Sequence, residues 1–234
     1  MNVAIIGSGN VASHLIKALS GKVSLFPVNP RTLEGLPPQC DVAVISVKDD
    51  VIEEIARRIS GRADIIAHTS GSKPIDVLAG CAKATGVFYP MQTFTKDVPL
   101  EYSEIPFFIE GSDSDSETVL CDLARLISPN VRLAGSDDRR KLHLAAVFAC
   151  NFTNALIGVA DDLLHENGMD YTVMLPLIRQ TVAKLYSVPP KDAQTGPAAR
   201  HDMSVINRQH DMLESKPELQ SIYDSISSLI LSKN

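Results

Sequence analysis

The sequence predicts a doubly wound α/β domain with a mostly parallel sheet, followed by an all-helical region. Three observations carry this. Up to about residue 135, short apolar runs alternate with helical patterns. Several of these runs are unbroken, as in strands covered on both faces. After Gly135-Ser136 no convincing strand pattern remains. The chain therefore divides into residues 1–135 and residues 136–234.

Candidate strands cover residues 3–6, 23–26, 42–47, 64–67, 86–89, 105–109 and 131–133. A helix over 10–19 follows the first strand. Another over 50–59 follows the third, with Asp49 or Asp50 as N-cap. A third, over 115–127, follows the sixth and is stopped by Pro129. In the second half a long helix runs from about 138 to 165, closed by Asn167-Gly168. The pattern over 171–186 contains Pro176, so the helix there either kinks or starts late. The stretch "SVPPKDAQTGP" reads as a loop. Two last helices run from Pro197 to about Leu213 and from Pro217 to about Leu231.

Composition excludes several classes. Net charge is −6 with no basic block, so no nucleic-acid footprint is expected. The run Arg139-Arg140-Lys141 follows Asp137-Asp138 and reads as a solvated helix start. Cys40, Cys81, Cys121 and Cys150 are widely separated and show no zinc spacing. They read as reduced thiols of a cytoplasmic protein. A first strand at the very start leaves no room for a signal peptide. Residues 142–160 approach the length of a membrane span. His143, Asn151, Thr153 and Asn154 are poorly tolerated by lipid, so no membrane is expected. A helix covered by protein on most sides is the expectation.

The motif Gly7-Ser8-Gly9-Asn10-Val11-Ala12 leaves a predicted strand and opens a predicted helix. In that context G-x-G-x-x-A is the dinucleotide fingerprint of a Rossmann-type sheet. Gly7 allows the tight turn, Gly9 lets a pyrophosphate approach the backbone, and Ala12 keeps helix and strand close. The helix N-terminus offers N–H groups to an anion. An acidic residue at the next strand's tip would hold the ribose of NAD. Here that tip reads Asn29-Pro30-Arg31-Thr32, with no carboxylate before Glu34. Arg31 suits a 2′-phosphate, with Asn29 and Thr32 as neutral partners. The expected cofactor is NADP; the competing reading makes Arg31 a solvated arginine beside Glu34. Ser46, Val47 and Lys48 end the third strand, and Ser70 follows the fourth. All four fall at the sheet's carboxyl edge, beside the expected cofactor. His68, at the same edge, reads as a hydrogen-bonded core histidine.

Together the pieces "GSGNVA", "NPRT", "VISVKDD", "HTSGS", "YPMQTF", "HLAAVFACNFTNAL" and "TGPAARHD" resemble an uncharacterised family assigned as NADP oxidoreductases. Its members pair a Rossmann-like domain with an all-helical C-terminal domain of unknown function. The plan is more distantly similar to pyrroline-5-carboxylate reductase, the 6-phosphogluconate dehydrogenase group and imine reductases. That resemblance implies a homodimer formed through the helical domain, which completes the active site. The hydroxyacid dehydrogenases of that group carry a lysine four residues before an asparagine of the long helix. Val147 stands at that spacing from Asn151, so their chemistry does not transfer.

Residues 143, 147, 151 and 154 share one face of an α-helix, giving a stripe of His143, Val147, Asn151 and Asn154. It either lines a cleft or forms an interhelical hydrogen-bond network. In the cleft reading His143 donates a proton and Asn151 and Asn154 position substrate. Arg200 and His201 fall in the first turn after Pro197, where Arg200 would grip a carboxylate. Alternatively Arg200 pairs with Asp202 or Asp192. His210 reads as a core histidine on the stripe Met203, Ile206, His210, Leu213. Gln92 and Thr93 follow the fifth strand and would face substrate, with Tyr89-Pro90 a candidate cis bond. The resulting expectation is NADP-dependent hydride transfer to or from a C=O or C=N carbon of a small metabolite. The alternatives are a non-catalytic NADP sensor or partner protein, or an NADP/flavin-like carrier reductase.

Overall fold

The computed structural model describes residues 1–233. Seven strands form one sheet: β1 (Asn2–Ile6), β2 (Ser24–Val28), β3 (Cys40–Ile45), β4 (Ala63–His68), β5 (Ala84–Pro90), β6 (Phe107–Gly111) and β7 (Val131–Leu133). Their spatial order is β2-β1-β3-β4-β5-β6-β7. All neighbours pair in parallel except β5 and β6, which run antiparallel from Gly86↔Gly111 to Pro90↔Phe107. The connection between them, residues 91–106, contains only a short 3-10 turn, Tyr102–Glu104. With no helix to cross a face of the sheet, the chain returns from the end at which it left.

The period of two along each strand sends side chains to opposite faces. Val3, Ile5, Val42, Val44, Phe88 and Ile109 pack under α1 (Asn10–Leu19) and α3 (Ser114–Arg125). Ala4, Ile6, Ala43, Ile45 and Ile66 face α2 (Ile52–Arg58) on the other side. Both faces are covered, which explains the unbroken apolar runs. Leu15 and Leu19 hold α1 to the sheet and are nearly inaccessible; truncating either to alanine would cost about 2–5 kcal/mol. Asp113 and Ser116 form a capping box at the start of α3. Neither Asp49 nor Asp50 caps α2. Both belong to a 3-10 turn, Asp49–Val51, that precedes it.

After β7 comes α4 (Ser136–Ala146), then a π-turn (Val147–Phe152), then α5 (Thr153–His165). The chain forms two compact units, Met1–Leu156 and the remainder from Ile157. The first unit thus extends past the sheet and takes in α4 and the π-turn.

Two expectations for this stretch need correction. Arg139 is not a solvated residue of a basic run. Its side chain is fully buried, paired with Glu110, and donates to Lys73 O at 2.5 Å and Ser136 Oγ at 3.2 Å. Arg140 and Lys141 do face solvent and pair with Asp137 and Asp138. Nor is the long helix covered on most sides: Leu144, Phe148, Phe152 and Leu156 are 40–63% exposed. The stretch Ser136–His165 is long and apolar enough to cross a membrane by length and composition alone.

The second unit is helical: α6 (Leu175–Ala183), α7 (Pro190–Ala193), α8 (Met203–Asp211) and α9 (Pro217–Leu231). Pro176 lies in the first turn of α6, so that helix starts late instead of kinking. Pro197 opens a 3-10 turn, Ala198–Arg200; His201 adopts a left-handed conformation, and Asp202 caps α8 by accepting from Val205 N. Arg200 and His201 therefore precede the helix. His210 is part-exposed and its Nδ1 lies 2.9 Å from Asp224 Oδ1, so it joins α8 to α9 at the surface instead of filling a core.

Candidate functional site

The carboxyl ends of the parallel strands open into a crevice of about 840 Å³. It lies beside β1, where the chain leaves β2 on one side and resumes with β3 on the other. Open α/β sheets bind ligands at such a switch point.

One wall is the turn from β1 into α1. A Cβ on Gly7 would overlap the Ser46 carbonyl and lie 3.1 Å from the Ala12 Cβ. Only glycine lets this turn close against the end of β3. At Gly9 a Cβ would meet no atom within 4 Å; a side chain there would occupy the crevice that Gly9 lines. Gly9 is the N-cap of α1, and no side chain caps that end. The first amides of a ten-residue helix thus remain for an anion. Asn10 and His14, one turn apart, tie the segment after β5 to this helix. Asn10 Nδ2 donates to Phe94 O, and His14 Nε2 lies 2.9 Å from Thr95 O.

The rim at β2 is cationic. Asn29 Oδ1 accepts from Arg31 N at 2.9 Å and Thr32 N at 3.4 Å, and Thr32 Oγ1 accepts from Glu34 N. The amide of Asn29 therefore builds the turn that presents Arg31. Arg31 lines the crevice, and so do Lys48 and Arg58.

At the opposite end, Ser70, Gly71, Tyr89, Pro90, Gln92 and His143 line the same crevice. Tyr89 Oη lies 3.2 Å from His143 Nδ1, and the rings meet edge to face. Burial pushes the Tyr89 phenol up from its ordinary value, so it stays protonated. Gly71 makes room for the pair: a Cβ there would lie 2.7 Å from His143 Nδ1 and 2.9 Å from Tyr89 Cζ. Ser70 Oγ accepts from Ser72 N and Lys73 N, and Ser72 Oγ donates to Asp49. His68 is fully buried; its Nδ1 accepts from Ser70 N and its Nε2 donates to Pro74 O. Burial, aided by the Arg139 charge, lowers its pKa to about 4. It is a neutral core histidine, as its sequence context suggests.

Of the residues singled out in the sequence, the crevice gathers Ser8, Gly9, Asn10, Val11, Arg31, Ser46, Val47, Lys48, Ser70, Gln92 and His143. Gly7, Asn29 and Thr32 shape its turns from behind. Thr93 is exposed, and its N–H donates to Gln92 Oε1. The peptide bonds of the described residues, Tyr89-Pro90 included, are all trans. Asn151 and Asn154 are exposed and do not continue the stripe from His143. The π-turn inserts a residue between them and His143, rotating later side chains by about 100° relative to an unbroken α-helix. Arg200 belongs to the second unit, where it is exposed. The hydrogen bond from Ser204, and with it the Arg200 charge, lowers the Asp202 carboxyl below its ordinary value. Sequence reasoning missed Arg58, and it noticed Tyr89 only for its bond to Pro90 and not for its side chain.

These features fit a dinucleotide. There is an open glycine cradle for a pyrophosphate and a cationic rim at β2. A polar end lies four strand spacings away at β5, roughly 19 Å. Among the described residues no cluster suits a metal ion.

Fold and crevice together define a Rossmann-type protein with a helical C-terminal part. The chain belongs to the family described as "Domain of unknown function (DUF2520)", whose model matches residues 105–230. The crystal structure of a "putative NADP oxidoreductase" from Bacteroides fragilis is similar at TM-score 0.92 and 36% identity, over 99% of this chain and 98% of that one. A Thermotoga maritima protein is similar at TM-score 0.76 and 21% identity, over 99% and 97% of the two chains. An imine reductase from Myxococcus stipitatus in complex with NADP+ shares the fold at TM-score 0.63 and 16% identity, over 98% and 93%. Comparison with curated proteins finds no match.

Proposed function

We propose that this chain is an NADP-dependent oxidoreductase acting on a C=O or C=N carbon of a small metabolite. The observation that carries this reading is the joining, in one crevice, of a glycine cradle, a cationic rim without carboxylates at the β2 tip, and the Tyr89–His143 pair. When bound, the nicotinamide supplies or accepts the hydride. The chain's own residues do the rest. Gly9 and the α1 amides seat the pyrophosphate, while Arg31 and Lys48 attract the 2′-phosphate. In the reducing direction the protonated His143 ring gives its Nε2 proton to the substrate heteroatom. Its Nδ1–H meanwhile donates to Tyr89 Oη, which fixes the ring plane. The neutral ring left behind keeps that bond.

The same reading gives the exposed face of α4 and the π-turn a partner, a second copy of this chain. Leu144, Phe148 and Phe152 are all exposed at helical spacing, and contiguous apolar surface of this kind marks interaction sites.

The test is calorimetric binding of NADP and NAD, followed by turnover of a panel of carbonyl and imine compounds read by nicotinamide absorbance. Tighter binding of NADP together with turnover of one class supports the reading. Preference for NAD, or cofactor binding with no turnover of any compound, counts against it.

A further inference from the structure

We propose that Arg58, at the end of α2, is the specificity-determining partner of Arg31 in recognition of a ribose 2′-phosphate. The assignment rests on the NADP reading above.

Arg58 lies 27 residues beyond Arg31 in sequence yet lines the same rim of the crevice. Its Nη2 donates to Arg31 O at 2.8 Å, and its Nη1 approaches Pro30 O at 3.5 Å. Glu54, one turn back on α2, lies 3.6 Å from Nη1 and lines the crevice beside it, so a phosphate would share the guanidinium with this exposed carboxylate. The side chain is 36% exposed, so it is neither buried in the core nor free in solvent.

This geometry does two things. The carbonyl oxygens of Pro30 and Arg31 turn toward α2, and alone they would repel a phosphate dianion. Arg58 covers both, replacing two negative dipole ends with a positive charge. A guanidinium has five N–H donors, so the two carbonyl bonds leave others for a phosphate oxygen. Arg58 also fixes the backbone of Arg31 itself. Asn29 secures the same turn from inside through Arg31 N and Thr32 N. The tip is thus pinned on both sides before a ligand arrives, which limits the ordering cost of binding. The β2 tip itself brings no carboxylate to the crevice, and the acidic group nearest this rim, Glu54 on α2, is paired with Arg58.

The experiment measures NADP and NAD dissociation constants by calorimetry for the full-length wild type and for Arg58→Met, Arg58→Lys and Arg57→Met. Thermal melts confirm that each variant is folded. Arg58→Met keeps the length of the side chain and removes charge and donors. Its NADP affinity falls by about tenfold or more, while NAD binding changes by less than about twofold. Arg58→Lys recovers part of the preference. Arg57 pairs with Glu53 on the solvent side of α2, and Arg57→Met leaves both affinities unchanged. If the wild type prefers NADP and Arg58→Met keeps the full preference, the assignment falls and the NADP reading stands. Equal loss of NADP and NAD makes Arg58 a structural residue only, and also overturns the assignment. A wild type that prefers NAD overturns both.

Discussion

Tyr89 Oη lies 3.2 Å from His143 Nδ1, joining the end of β5 to the last turn of α4 at the edge of the crevice. The two residues are 54 positions apart in sequence. Their contact holds the imidazole in one plane at the crevice wall, as the proposed proton transfer requires. His143→Asn is expected to lower kcat by about 100-fold, with the NADP dissociation constant changed by less than about twofold. Tyr89→Phe keeps the ring packing but loses the bond, and is expected to lower kcat by about tenfold. Steady-state kinetics and calorimetry on the same preparations check both. Unchanged turnover in His143→Asn would remove it from the chemistry.

Gly71 is the companion to that pair. Its Cα faces the two rings so closely that an added methyl would sit 2.7–2.9 Å from both. Gly71→Ala is therefore expected to push the rings apart, costing about 1–3 kcal/mol of stability and lowering turnover while NADP still binds. Urea denaturation, kinetics and calorimetry on this single variant separate the three effects.

The sheet was legible because burial on both faces leaves an unbroken apolar run, as in "VAII" and "VAVIS". The antiparallel turn of β6 was not, since apolar runs carry no direction. The glycine cradle was legible because its residues are consecutive. Arg58 was not, because only the fold brings the end of α2 beside the β2 tip. The π-turn defeated the polar stripe for a similar reason: periodicity arguments assume 3.6 residues per turn, and one inserted residue breaks the phase. Arg139 misled through its neighbours. A charge run reads as solvated, but burial of one member depends on Glu110, 29 residues earlier.

The exposed apolar strip of the long helix gives a prediction about assembly. Phe148 and Phe152 stack edge to face, and both are exposed. If a second copy covers them, Phe148→Asp shifts the sedimentation coefficient from that of a dimer to that of a monomer. A wild type that sediments as a monomer at all concentrations contradicts the proposal.

His68 sets a pH dependence of stability. Its pKa is lowered to about 4 in the folded chain, against about 6.5 in an unfolded one. Between these values the unfolded state binds more protons, so stability rises with pH across that window. The contribution is complete above about pH 6.5 and lost as pH falls through about 4. It amounts to at most roughly 3 kcal/mol. The bonding agrees with the sign, since Nδ1 accepts from Ser70 N and protonation would set two donors against each other. Urea titrations at pH 7 and pH 5 are expected to show a smaller difference for His68→Gln than for the wild type.

Arg139 and Glu110 provide the sharpest test of how the fold holds His143 in place. Arg139 lies one turn before His143 on α4 and is fully buried, against Glu110 on β6 and the Lys73 carbonyl. Ser136 completes the group, its N–H and Oγ donating to the Glu110 carboxylate. Removing one partner leaves the other charge buried without compensation, so Arg139→Met is expected to cost about 3–5 kcal/mol. Glu110→Gln is expected to cost a similar amount, because Ser136 N and Arg139 Nη1 bond to different carboxylate oxygens, one amide oxygen replaces only one of them, and the buried Arg139 keeps its charge. The double variant is expected to be more stable than the sum of the two losses, since no unpaired charge remains. If the losses simply add, the pair is not coupled and α4 is held by apolar packing alone. In the double variant, recovered stability with impaired turnover would show that the ion pair sets the position of His143 as well as its attachment.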